Sequence, residues 1–171
     1  MICYEEIYKK ARQTVKRCGS RNPADVADML GIHLYYEDFS SLLGMYTCKW
    51  RRRMIFINSN INGPVFNMVL AHEIGHDLFH RSMAGQGLRE YNLFGIKEET
   101  EQTANAFAAH LLLDERELSE QLLDGRSISE ISASMLVDEN LTLIKLAQMN
   151  ALGWDLRLPC PPRSDFIKYL K

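Results

Sequence analysis

Apolar residues recur at helical spacing twice in the middle of the chain. Val65, Phe66, Val69, Leu70, Ile74, Leu78 and Phe79 mark the buried side of one helix, about Pro64 to Arg81. Ala104, Phe107, Ala108, Leu111 and Leu112 follow the i, i+3, i+4, i+7, i+8 rule and mark a second, about Lys97 to Leu113. Before them, β-branched and aromatic residues cluster in three short runs that read as strands: Ile32 to Tyr36, Met45 to Trp50 and Met54 to Asn58. The last two runs are joined across Arg51-Arg52-Arg53, a solvated hairpin tip. The chain opens with a helix from about Tyr4 to Arg17. Asn22 as N-cap and Pro23 at the first helical position then start a short helix that stops at Gly31.

After Leu113 the helices shorten and carry explicit start signals. Asp114-x-x-Glu117 and Ser127-x-x-Glu130 have the capping-box pattern, and a last helix runs from about Asp138 to Leu152. The Pro159-Cys160-Pro161-Pro162 tail cannot continue it. Strands come early and helices late, so the expected class is α+β. A seam near Asp124-Gly125 divides residues 1–124, holding the small three-stranded sheet and the long helices, from a small helical region with the tail, 125–171.

Composition adds mainly exclusions. With 171 residues, 46% hydrophobic and 25% charged, the chain has the balance of a soluble globular protein. Twenty basic against 22 acidic residues leave a net charge of -2, so neither direct nucleic-acid binding nor an anionic membrane surface is expected. No apolar run approaches the roughly 18 residues of a membrane span. The acidic N-terminus does not resemble a signal peptide. The four cysteines, Cys3, Cys18, Cys48 and Cys160, show no metal or disulfide spacing and read as reduced thiols of a cytoplasmic protein.

The first of the two long helices carries His72-Glu73-Ile74-Gly75-His76. Residues four apart stand one turn apart on the same helix face, so His72 and His76 can chelate one zinc ion. Glu73 lies about 100° round the helix, placed to act on the attacking water as catalytic base without ligating the metal. In a chain with 5 His and 13 Glu, the chance expectation for this motif is about 0.01. A catalytic zinc needs a third protein ligand. His80 continues the spacing, but lies about 12 Å of helix rise from His72 and reads as a helix-end histidine. Glu101 extends the buried stripe of the second helix backwards, and a carboxylate there needs a cationic partner. It is the better candidate; Glu98 is second. Asn105, one turn beyond Glu101, is placed to hydrogen-bond a ligand histidine and fix its orientation. His110 falls on the opposite face and is expected to be solvated. Tyr35, Tyr36 and Tyr46 read as core or edge residues, and Tyr91 as a distant candidate for oxyanion donation.

These residues resemble the ImmA/IrrE family of metallo-endopeptidases. The matching segments are Gly31-Ile32, Met54-Ile-Phe-Ile-Asn58, Leu70-Ala-His-Glu-Ile-Gly-His76 with His80, and Glu101-x-x-Ala104-Asn105-x-Phe107-Ala108-Ala109-x-Leu111-Leu112. The resemblance covers about Asn22 to Leu113. It implies a zincin fold, zinc ligands His72, His76 and Glu101, and Glu73 as base. It also implies an anti-repressor protease of a phage or other mobile element, or of a stress regulon, whose substrate is a helix-turn-helix repressor. The family usually has Met-Pro after the paired leucines; here Leu113-Asp114 stands instead, and Asp114 can open the next helix as an N-cap. The segment from Ile128 to Gly153 resembles the helix-turn-helix-like region that follows the core in some relatives. Its lone cation between Ser127 and Leu156 is Lys145, so packing or substrate docking fits it better than DNA binding. Substrate is expected to lie extended along an edge strand, Met45 to Trp50 or Met54 to Asn58. The alternative is a non-proteolytic regulator with a structural or vestigial metal site that binds a repressor or toxin-antitoxin partner; the intact Glu73 argues against it.

Overall fold

A computed structural model describes residues 3–84 and 94–163, with 165, 167 and 170 of the tail; the side chains of residues 84 and 94–98 are outside the description. The elements are α1 (Tyr4–Cys18), α2 (Pro23–Leu30), β1 (His33–Glu37), β2 (Gly44–Lys49), β3 (Arg52–Asn58), α3 (Gly63–Ala84), α4 (Phe94–Leu112), α5 (Glu115–Leu123), α6 (Ile128–Ser134) and α7 (Glu139–Ala151). The class is α+β, as the order of strands and helices predicts.

Local signals start the helices where the sequence places them. The Asn22 side chain accepts from the Ala24 N–H with Pro23 at the first helical position, and Gly31 closes α2 at φ 68°. Asp114 accepts from the backbone N–H groups of Arg116 and Glu117, which does the work of the missing Met-Pro. Ser127 and Glu130 form a complete capping box.

The sheet has the order β1-β3-β2, with β1 parallel and β2 antiparallel to β3. This corrects one of the two candidate substrate strands. Met54–Asn58 lies in β3, the central strand, whose backbone groups are engaged on both sides; β2 is an edge and keeps one side open. The arginine run is also divided. Lys49 pairs with Arg52, leaving Trp50 and Arg51 as a two-residue turn, with φ 49° and 63°. Both central residues thus occupy the left-handed region that such hairpins require and that Asn-Gly fills without strain. Trp50 is 91% exposed. Arg53 points the other way and anchors α3 to the sheet.

Ile55 and Ile57 of β3 pack on Val69, Leu70 and Ile74 of α3, and Phe107, Ala108 and Leu111 of α4 continue the same core. Helix α4 is enclosed by α3, α1 and α7. Leu141 and Ile144 of α7 join this core, while Leu118, Ile131, Leu146 and Met149 form a smaller cluster under α5 and α6. No described helix is long and apolar enough to cross a membrane.

Candidate metal centre and active site

The two long helices meet unusually closely at Gly75. A Cβ at that position would stand 2.8 Å from the Ala104 Cα and 3.0 Å from its carbonyl oxygen, so only glycine permits this approach. The contact brings the His72–His76 face of α3 opposite the Glu101–Asn105 face of α4.

Three donors converge there. The Nε2 atoms of His72 and His76 are 3.0 Å apart. Glu101 Oε2 lies 3.5 Å from the first and Oε1 3.5 Å from the second. Adjacent donors of a tetrahedral zinc site with bonds of about 2.0–2.1 Å are separated by about 3.3 Å, so the triangle has the size the ion needs. Both imidazoles are buried, whereas the Glu101 side chain is 33% exposed and leaves the cluster open on one side.

The hydrogen bonding behind the donors fixes their chemistry. Asn105 Oδ1, an acceptor, lies 2.8 Å from His72 Nδ1, which therefore carries the proton and leaves Nε2 as a lone pair. Behind His76, the Nδ1 of His80 lies 3.2 Å from His76 Nδ1. Burial and the neighbouring His76 bring the His80 imidazole down to about 4, which keeps it neutral and able to accept. With His76 donating from Nδ1, a second lone pair faces the first. Two such nitrogens and a carboxylate form an electron-rich pocket that suits a divalent cation.

Without a cation the same Nε2 atoms can take a proton and donate to Glu101: burial alone would raise its carboxyl, but hydrogen bonds and charge from His72 and His76 hold it well below the usual carboxylate range. At His72, burial disfavours the charged ring, and Glu101 with Glu73 more than offsets this, so its pKa is raised.

His80 stands where the first helical segment of α3 ends, at a kink where its backbone leaves the helical region (φ -124°, ψ 17°), and it also supports His76 from behind, a contact its spacing does not announce. His110 is corrected. It is buried, because α7 packs on the face of α4 that points away from the sheet, and Lys145 Nζ lies 2.9 Å from its Nδ1. Tyr91 and the side chain of Glu98 lie outside the described residues.

Glu73 is buried at the rim of the donor cluster, next to β2. A Cβ on Gly44 would stand 2.6 Å from Val69 Cγ1 and 3.2 Å from Glu73 Oε1, so the edge strand begins directly beside this carboxylate. Sequence reasoning passes over Gly44; its one signal is a glycine at the head of a strand, where a close backbone approach is a common reason. It also passes over Asp77. This fully buried carboxylate accepts from Arg53 Nε at 2.7 Å and from Arg81 at 3.1 Å, and a second Arg53 nitrogen also bonds to it. Arg53 donates further to the Leu30 carbonyl, tying the end of α2 to the sheet and to α3.

The family model for the IrrE N-terminal-like domain matches residues 27–147. An uncharacterized immunity region protein 2 of Bacillus phage phi105 is 27% identical over 143 residues, covering 83% of this chain and 90% of that protein. The metallopeptidase ImmA of Bacillus subtilis (strain 168) is 27% identical over 152 residues, covering 86% of this chain and 88% of its own.

Proposed function

The chain belongs to the IrrE N-terminal-like family of metallopeptidases, and from that premise we propose that it is a zinc-dependent endopeptidase of the cytoplasm that cleaves a helix-turn-helix repressor. The observation that carries the reading is the convergence of His72, His76 and Glu101 beside a non-ligating Glu73. Zinc held by these three donors would supply Lewis acidity, lowering the pKa of a water towards about 7 and polarising the scissile carbonyl.

The remaining work falls to the chain's own residues. Asn105 and His80 hold the two imidazoles in the tautomers that present Nε2. Glu73 accepts the proton of the attacking water and delivers it to the leaving nitrogen. The open side of β2 offers main-chain donors and acceptors to an extended substrate, whose backbone then passes close to Glu73 at Gly44. A strand edge reads few side chains, so selection of one repressor requires further contacts, and α5 to α7 supply surface for them. The resemblance to anti-repressor proteases supports a repressor as substrate, as does the immunity-region name of the phage relative.

The test uses the zinc-loaded chain, the repressor encoded beside it and casein at equal concentration. The repressor is expected to be cut and casein spared. Glu73→Gln should keep its zinc, by metal analysis of the same sample, and lose cleavage by about 10²–10⁴-fold. Undiminished cleavage by this variant removes Glu73 from the mechanism. A zinc-loaded wild type that binds the repressor and never cuts it supports a non-proteolytic regulator instead.

A further inference from the structure

On the side of α4 away from the metal donors, a pocket of about 440 Å³ opens where α1, α4, α5 and α7 meet. That volume falls within the range of small-molecule sites, about 300–1,000 Å³. Its floor holds Lys145, only 2% exposed, with Nζ 2.9 Å from His110 Nδ1. This buried cation thus stands against a neutral ring, with a long salt bridge of 3.7 Å to Glu115. Because His110 accepts at Nδ1, its proton sits on Nε2, and that buried atom has no hydrogen-bond partner among the described residues.

The wall and rim add charge of the same sign. Arg21 is fixed by the carbonyls of His110 and Leu111 and by Asp114 at 2.7 Å. Arg12 lies across the Tyr8 ring, 5.6 Å from its centroid, and Arg116 stands at the mouth. Four cations thus face the lining carboxylates Asp114 and Glu115, and Arg116 is also paired with Glu120 at 3.3 Å. Two aromatic side chains, Tyr8 and Trp154, line the same opening. A buried lysine usually marks a site that supplies an opposite charge. Burial brings this one down to about 8, so a bound anion would stabilise its charged form.

We propose that this pocket binds a small organic phosphate monoester, with the phosphate against Lys145, Arg21 and Arg12 and a planar group against Tyr8 and Trp154. The opening keeps a positive excess, with Arg12 the cation that no carboxylate answers among the described residues, and arginine forks suit phosphate oxygens. The aromatic rim favours an ester with a flat substituent over the free ion. The site does not depend on the proposed proteolysis, since none of its residues belongs to the donor cluster.

The chain has two tryptophans, so Trp50→Phe leaves Trp154 as the single reporter. Its fluorescence in the full-length protein is followed while phenyl phosphate, inorganic phosphate or isophthalate is added. Phenyl phosphate should give a saturable change, with affinity at least about tenfold above that of either other anion. Arg12→Glu, at an exposed position, should weaken it by about tenfold or more, and Lys145→Met should remove it. No saturable response up to about 10 mM, or a response that both variants leave intact, overturns the site. Isophthalate bound as tightly as phenyl phosphate overturns the assignment to a phosphate.

Discussion

Helix α3 carries two buried polar clusters on different faces, and they are built on opposite principles. Towards the sheet, Asp77 meets Arg53 and Arg81, with the Tyr46 phenol beside it. Burial disfavours the Asp77 charge, yet the guanidiniums lower its pKa overall. Towards α4, His72, His76 and Glu101 bring three lone-pair donors together. In the first cluster the buried carboxylate already has its cations, and the cluster makes architecture. The second is closed only when a cation is added, so it fits a site that does chemistry. Burial alone does not separate the two; the balance of donors and acceptors does.

The sharpest way to break this contrast is to remove Asp77. Asp77→Ala leaves the half-buried Arg53 without its counter-charge and should cost about 3 kcal/mol in chemical denaturation. Replacing both partners, Arg53→Met with Asp77→Leu, should cost less than the single change, because the one cation left without its carboxylate, Arg81, is about half exposed to water. A single change as mild as the double would show that Arg53 does not depend on this carboxylate.

Glu101→Ala should behave in the other way. Zinc affinity is expected to fall by more than about 100-fold, while the unfolding free energy of the metal-free protein changes by less than about 1 kcal/mol. Competition with a chromogenic chelator measures the first and urea titration the second. Asn105→Ala removes only the acceptor behind His72 and should weaken zinc by about 10–100-fold without emptying the site.

The smallest effect concerns His110, buried outside both clusters. Burial and the nearby Lys145 bring it down to about 3 from 6.5. Below pH 6.5 the unfolded chain takes up a proton that the folded chain refuses, so stability falls as pH falls. The loss from this group is at most about 1.4 kcal/mol per pH unit. His110→Gln should flatten the stability profile of the metal-free protein between pH 6.5 and 5 by about one proton's worth.

The contrast also explains what could be read without coordinates. His72, Glu73, His76, Glu101 and Asn105 were legible because each sits at a fixed helical offset, and helix geometry turns offset into direction. Caps at Asn22, Asp114 and Ser127 were legible for the same local reason. The parallel pairing of β1 with β3 was not, since register between strands is decided by contacts far apart in sequence. His110 was misplaced because one apolar stripe implies one buried face, whereas α4 is packed by three helices. Asp77 and Arg53 stand 24 residues apart, and nothing in either neighbourhood announces the other.

The close approach at Gly75 bears on what a search for similar proteins should ask. The zinc-binding pattern treats the residue before the second histidine as free, since no chemistry passes through it. In this chain the packing has claimed that position. A methyl group there would meet backbone, which cannot turn aside as a side chain can, so α4 would have to retreat and carry Glu101 with it. The carboxylate that completes the donor set is thus specified partly by an absent side chain on the other helix. A substitution at position 75 by anything larger is compatible with this site only if α4 is repositioned elsewhere along its length.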